Sequence, residues 1–308
     1  MRLIFMGTPD FAAATLEALA ETDHEIVLVV TQPDRVKGRG GRVQKSDVKL
    51  CAEKHGFEVF QPEKVKSAEA VAHLLGYEPE LIVVAAFGQI LSKEILDLPK
   101  YGCINVHASL LPHLRGASPI QTAIMLGDKV TGVTIQQMNE GIDTGDILAV
   151  EETAIEDSDT GGSLFDRLAE IGAKLAVRTV DAIEKGEVNP VKQDDSKATY
   201  ARLMDKSLGH IDWNKDASET ERLIRALNPW PSAYTYIDGK MLKIWKAEAV
   251  ENASNTPGRV ISVGKDHIEV SCGNGALKIT ELQTEGKKRM SAHDFLLGYK
   301  LQTGIILV

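Results

Sequence analysis

Asn105 and His107 stand two residues apart where an apolar run gives way to the turn-forming stretch "INVHASLLPHLRG". A side-chain period of two puts the amide and the imidazole on one face of a short strand. The amide is a neutral donor suited to an oxygen that gains negative charge. An imidazole two residues on can bond the same centre and move a proton. Such an imidazole needs a carboxylate to orient it, and "NEGIDTGDIL" offers Glu140, Asp143 and Asp146 in a glycine-bounded loop. Taken alone, the same residues also fit an edge histidine and a plain turn. Spacing does not choose between Asp143 and Asp146.

A second chemical feature is "DRVKGRGGRVQKSDVK", residues 34–49, where Arg35, Lys37, Arg39, Arg42, Lys45 and Lys49 face only Asp34 and Asp47. Its composition reads as an exposed basic loop. No GK[ST] follows, so it is not a phosphate-cradling P-loop. "MGTPDFA" has one glycine where a dinucleotide-binding turn needs three, which argues against a nicotinamide dehydrogenase.

These residues need elements to hold them. The first half alternates in the manner of a parallel α/β sheet: "RLIFMG", "HEIVLVVTQ", "FEVFQP", "LIVVAAF" and "CINVHAS" read as strands, with helical patterns between them. Ser46 fits the N-cap of the helix "SDVKLCAEKHG". "LIVVAAF" is apolar throughout, as in a central strand covered on both faces. "VTGVTIQQM" and "DILAVEETAI" follow as strands, and then a long amphipathic helix ends at Gly186. Ligands of such sheets bind outside the carboxyl ends of the strands, where Asn105 and His107 lie. The remainder is a polar stretch, one helix and short β runs separated by turn residues at the spacing of a small barrel. The expected fold is therefore a Rossmann-like α/β domain over 1–189, a linker over 190–206 and an OB-like β-barrel domain over 207–308.

With 308 residues, two domains are expected. No apolar run reaches the roughly 18 residues of a membrane span. The N-terminus shows no targeting segment. Three scattered cysteines without CxxC argue against a disulfide framework and against a thiolate-built zinc site, and fit a reducing cytoplasm. The net charge is -9, yet residues 207–308 carry +1 against -10 in the rest. A near-neutral C-terminal part is free to present a basic face.

"INVHASLLPHLRGASPI" together with "GIDTGDIL" resembles the folate-dependent formyltransferase family. "FMGTPDFA", "TQPDRVKGRG", "QPEKV", "LIVVAAFGQIL", "ATYARLM", "IDW" and "LNPWPSAYT" are similar, nearly end to end, to the branch of that family acting on aminoacyl-tRNA. The resemblance implies formyl transfer from 10-formyltetrahydrofolate to the amino group of an initiator methionyl-tRNA, with no metal. It implies that Asn105 donates to the formyl oxygen, that His107 assists, and that Asp143 fixes the histidine and a water. Phe87, Gly88, Gln89, Ile90, Leu91, Ser109, Leu110, Leu111, Pro112, Glu140 and Asp143 are then expected around the folate, largely through backbone bonds. The basic loop (Arg35, Lys37, Arg39, Arg42, Lys45) is expected to enter the tRNA acceptor stem, with Arg42 decisive. On the barrel, Lys243, Lys287, Lys288 and Arg289, with Lys240 and Lys246, are expected to hold the tRNA backbone. Trp213 and Trp230 are expected to pack. Val36, "KSDVK" and Ser232 depart from the family pattern. The expected particle is a cytoplasmic monomer that binds tRNA and folate and no membrane.

Competing readings are a formyltransferase for a small amine, a formyltetrahydrofolate hydrolase, and an RNA-binding module with a dead catalytic fold. The basic loop and the β domain count against the first two. The presence of Asn105, His107 and Asp143 counts against the third.

Overall fold

The structure, a computed structural model, describes residues 1–37, 42–252 and 256–308, the side chains of 36, 37 and 42 excepted. The chain runs β1 (Arg2–Gly7), α1 (Asp10–Ala20), β2 (Glu25–Val30), β3 (Arg35–Lys37), β4 (Arg42–Gln44), α2 (Asp47–His55), β5 (Val59–Phe60) and α3 (Ala68–Leu75). It continues through β6 (Leu81–Ala85), α4 (Lys93–Leu96), β7 (Cys103–His107), β8 (Arg115–Gly116), α5 (Pro119–Leu126), β9 (Val130–Gln137), β10 (Ile147–Ala154), α6 (Gly161–Lys185) and β11 (Tyr200–Ala201). Two compact units result. One comprises 1–119, 130–154 and 165–201; the other comprises 120–129, 155–164 and 202–308.

The first unit is built on a seven-stranded sheet of order β10-β9-β7-β6-β1-β2-β5. Strands β5, β2, β1, β6 and β7 are parallel, and β9 and β10 are antiparallel additions at one edge. The apolar runs of β1 and β6 occupy the centre and are wholly buried, because helices cover both faces of a parallel sheet. One face buries Ile4, Met6, Leu28, Val30, Ile82 and Val84 with Leu74 and Ile95. Chain order reverses between β1 and β6, which places the topological switch point beside the ends of those two strands. Local signals behave as their chemistry requires: Ser46 and Ser67 accept from Lys49 N and Ala70 N at the starts of α2 and α3.

Several elements were not legible beforehand. The basic stretch is a loop only in part: β3 and β4 pair antiparallel, with Lys37 opposite Arg42. "FEVFQP" reduces to the two residues of β5. The polar stretch after α6 is ordered around a buried Gln193 and around β11, which pairs with β8.

The second unit contains α7 (Ala217–Ala226), β12 (Ala233–Ile237), β13 (Lys240–Val250), β14 (Val260–Val263), β15 (Ile268–Ser271), β16 (Ala276–Thr284), β17 (Met290–Ser291) and α8 (Ala292–Gly298). Its antiparallel sheet has the order β12-β13-β16-β15-β14, with β17 on β16. The C-terminal tail closes it. Tyr236 of β12 exchanges two backbone bonds with Val308, while Val260 of β14 is paired with Ile305 and Gly304. Both outer edges are thereby satisfied by one segment, which turns a sheet into a small barrel. Inward-facing Leu242, Ile244, Val270, Leu277, Ile279 and Leu282 fill it. Trp213 is buried there and donates from Nε1 to Thr235 Oγ1 at 3.0 Å. Trp230, expected to pack, is instead 54% exposed.

Candidate active site

The strand β7 delivers Asn105 and His107, and the neighbouring β9 completes the arrangement. In the antiparallel register, Gln136 lies opposite Asn105 and Thr134 opposite His107. Four polar side chains thus share one face of two apolar strands. Thr134 Oγ1 donates to Ser109 O at 2.7 Å and accepts from Leu111 N at 3.1 Å, which ties the "SLLP" turn to the sheet.

Leu114 adopts φ 59°, a left-handed conformation uncommon for a branched residue. Its carbonyl accepts from His107 Nε2 at 3.0 Å and from Ser109 Oγ at 3.3 Å. A carbonyl only accepts, so Nε2 carries the hydrogen, and Nδ1 is the nitrogen left to exchange a proton. Nδ1 lies 3.6 Å from Asp143 Oδ1.

Asp143, at φ 53°, points its carboxylate back into this cluster. Oδ1 accepts from Gln136 Nε2 at 2.7 Å and from Asn105 Nδ2 at 3.5 Å; Oδ2 accepts from the Gly116 amide at 2.8 Å. Two glycines make this approach possible. A Cβ at Gly145 would sit 1.6 Å from Gln137 O, and one at Gly116, where φ is +107°, would sit 2.6 Å from Ala201 O. Of the two acids left open by spacing, Asp143 faces His107, whereas Asp146 contributes its carbonyl to Gln137 N.

Behind the carboxylate stands a clamp that sequence reasoning did not assemble. Gln193 Nε2 donates to Asp143 O at 3.0 Å and to Gly145 O at 2.7 Å. Its Oε1 accepts from Arg115 Nε and Nη2 at 3.1 and 2.8 Å, and Arg115 Nη2 also reaches Asp195 Oδ1 at 2.7 Å. Arg115 is buried, so its cation serves to hold the turn that bears Asp143. The available signal was Arg115 beside "PHLRG"; its partner lies 78 residues away, in a stretch with no pattern.

The folate candidates fall into separate places. Phe87 and Leu91 turn their side chains into the core, and Ile90 is exposed. Phe87 O already accepts from Thr8 Oγ1 and Gln32 Nε2. Gln89 is held by Val65 N and Pro62 O, and Ser109 Oγ donates to His113 O. Phe87 and Gly88 line a cleft of about 580 Å³ at the switch point, together with Thr8, Gln32, Arg35 and Lys45. Glu140, with Met138, Asn139 and Gly141, lines another of about 660 Å³. Leu110 and Pro112 are half-buried in the turn after β7, and Leu111 is buried.

Among the basic residues, Arg35 is exposed, Lys45 pairs with Glu53 at 2.7 Å, and Lys49 is engaged by Asp34 and Gln61 at 2.6 and 2.7 Å. Arg39 lies outside the described residues, as do the side chains of Lys37 and Arg42. On the barrel, Lys287 and Lys288 are exposed, Arg289 pairs with Glu281, and Lys240 and Lys246 are exposed. Lys243 Nζ and the Arg289 guanidinium lie 5.8 and 5.2 Å from the Trp245 ring centre. Trp245 follows the inward-facing Ile244 and is outward by plain alternation, and the register shift of β13 against β16 adds Lys246 as a second exposed residue beside it. Ser232 has φ 73°, a conformation that favours the glycine it replaces in the family pattern.

A switch-point α/β sheet bearing an Asn–His–Asp cluster, with a separate β-barrel, defines a two-part group-transfer protein. Residues 1–180 match the family model described as formyl transferase, and residues 203–300 that of the formyl transferase C-terminal domain, so the chain belongs to the formyl transferase family. Within it, relatives that match over their full length include methionyl-tRNA formyltransferases. Those of Lachnospira eligens and Agathobacter rectalis are each 52% identical, over 100% and 99% of this chain and 99% and 98% of their own. A sugar N-formyltransferase fold is also similar. The Helicobacter canadensis N-formyltransferase, solved with folinic acid and dTDP-3-aminofucose, superposes with TM-score 0.67 at 21% identity, over 92% of this chain and 98% of that one. HypX of Aquifex aeolicus with tetrahydrofolic acid gives 0.62 at 19% identity, over 96% and 47%.

Proposed function

We propose that the chain transfers the formyl group of 10-formyltetrahydrofolate to the free amino group of initiator methionyl-tRNA. The observation that carries this reading is end-to-end identity near one half with methionyl-tRNA formyltransferases, on a chain that brings Asn105, His107 and Asp143 together. The formyl donor supplies an activated one-carbon group on a leaving nitrogen, so the protein's part is placement and electrostatics.

Among the described residues the half-buried Asn105 side-chain amide makes one hydrogen bond, the long one to Asp143, which leaves a donor for the formyl oxygen. As the aminoacyl nitrogen attacks the formyl carbon, Asn105 holds the oxyanion. His107 Nδ1, with Nε2–H fixed on Leu114, takes the proton released by the amine. Asp143 orients the ring and stabilises the imidazolium. The C–N bond to the folate then breaks, and the same proton passes to the leaving nitrogen. Arg35, Lys37, Arg39, Arg42 and Lys45 engage the acceptor stem. Lys243, Lys287, Lys288 and Arg289, around Trp245, hold tRNA phosphates. The protein acts as a cytoplasmic monomer; among the described residues no helix is long and apolar enough to cross a membrane.

The test supplies 10-formyltetrahydrofolate with initiator methionyl-tRNA or with free small amines. Formylation of the tRNA alone is expected. Transfer only to small amines, or hydrolysis without transfer, refutes the reading. Arg42→Ala is expected to raise the KM for tRNA while leaving folate binding intact.

A further inference from the structure

Away from the Asn–His–Asp cluster, α1 and α2 bring three metal-ligating side chains together. Glu17 comes from α1; Cys51 and His55, one helical turn apart, come from one face of α2. Cys51 Sγ lies 3.2 Å from Glu17 Oε2, and His55 Nε2 lies 3.1 Å from Glu17 Oε1. All three ligand atoms fall within 4.8 Å of one another, and among the described residues no other three such side chains meet this way. Bonds of about 2.0–2.3 Å to a tetrahedral centre demand this kind of separation.

We propose that Glu17, Cys51 and His55 form a site for a thiophilic divalent cation of the Zn²⁺ class. The alternative is a hydrogen-bonded cluster in which Glu17 accepts from the Cys51 thiol and from Lys54. In that account His55 Nε2, shielded from solvent, faces Glu17 Oε1 at 3.1 Å as an ion pair without hydrogen-bond geometry. A cation seated among the three would take all of these ligand atoms at once, in place of the contacts they make with one another. The His55 ring is held by stacking on Phe57 at 5.6 Å and 16°. Lys54, whose side chain is 65% exposed, swings to solvent when the cation takes its place on Glu17. The Cys51 thiol releases its proton to solvent as the metal–sulfur bond forms. Imidazole, thiolate and carboxylate together select Zn²⁺-like ions over Mg²⁺ or Ca²⁺. The cation joins two helices and takes no part in formyl transfer, so the inference stands apart from the proposed function.

The experiment titrates the full-length, metal-free protein with Co²⁺ and Zn²⁺. One equivalent of Co²⁺ is expected to bind with a thiolate-to-metal charge-transfer absorption and to be displaced by Zn²⁺, while Mg²⁺ has no effect. Zn²⁺ is expected to raise the melting temperature. Cys51→Ser abolishes the absorption and Cys103→Ser retains it. Should Cys51→Ser fail to fold, His55→Gln carries the same expectation through loss of one-to-one binding. Absence of stoichiometric binding by the parent chain overturns the proposal, as does an unchanged spectrum in Cys51→Ser or unchanged binding in His55→Gln.

Discussion

Gln136→Leu separates the duties of the side chain opposite Asn105. In the parent, Gln136 Nε2 donates to Asp143 Oδ1 at 2.7 Å, a bond to a carboxylate worth about 1.5–3 kcal/mol. The other end of the same amide is a liability: Oε1 is buried with no hydrogen-bond partner among the described residues, and the residue is only 2% exposed. Such an orphan costs roughly 1–3 kcal/mol. Leucine removes the bond and the orphan together and nearly conserves volume, so stability is expected to change by less than about 1 kcal/mol in either direction. Catalysis has no such compensation. If the lost bond is what keeps Asp143 aligned on His107, kcat falls by about ten- to a hundredfold, the kinetic equivalent of 1.5–3 kcal/mol. The assay is single-turnover formylation of initiator methionyl-tRNA, with thermal melting alongside and Gln136→Glu as a like-charge comparison. Unchanged kcat, or a rate loss matched by a collapse in melting temperature, refutes the assignment of Gln136 as a positioning residue.

His107→Ala is expected to lower kcat by roughly two decades or more with little change in tRNA affinity, measured by steady-state kinetics and filter binding. Arg115→Met leaves the buried Gln193 Oε1 without its two donors and is expected to cost roughly 1–3 kcal/mol of stability by denaturant titration. The Asp195 end adds little, since that side chain is 81% exposed. Lys49→Met tests the anchor of the basic stretch. Lys49, followed by Gln61, holds the Asp34 carboxyl below its usual range. A depressed carboxylate stabilises the fold above the unfolded value of 3.8 and stops doing so as pH falls through the lowered one. The variant is therefore expected to be less stable than the parent at pH 7, with the difference shrinking below about pH 4 in paired urea titrations.

The legible parts of this protein are those set by neighbours in sequence. Apolar runs bounded by turns marked the central strands, because a strand buried on both faces must be apolar throughout. A period of two put Asn105 and His107 on one face, and Ser46 announced α2, because an N-cap needs only the residues next to it. Short pieces held by partners far away were not legible. β8 and β11 are two residues each and exist because they pair with one another across some 80 residues. The clamp from Arg115 through Gln193 to Asp143 has the same character. Trp245 faces outward by plain alternation, but the Arg289 cation beside it comes from a distant stretch that no local pattern brings there.

Sequence alone determined that this chain carries an amide, an imidazole and a carboxylate in the order and context of a formyl-transfer family, at the carboxyl edge of a parallel sheet. Local pattern is enough for the placement, since period and turn chemistry act over a few residues; the family context comes from the resemblance of the motifs in their order. Tertiary structure decided which acid faces His107, which of its nitrogens that acid faces, and what keeps the acid in place. It also brought Glu17 to Cys51 and His55. Those outcomes depend on strand register and on helix packing, and each is set by contacts between residues that the chain keeps dozens of positions apart.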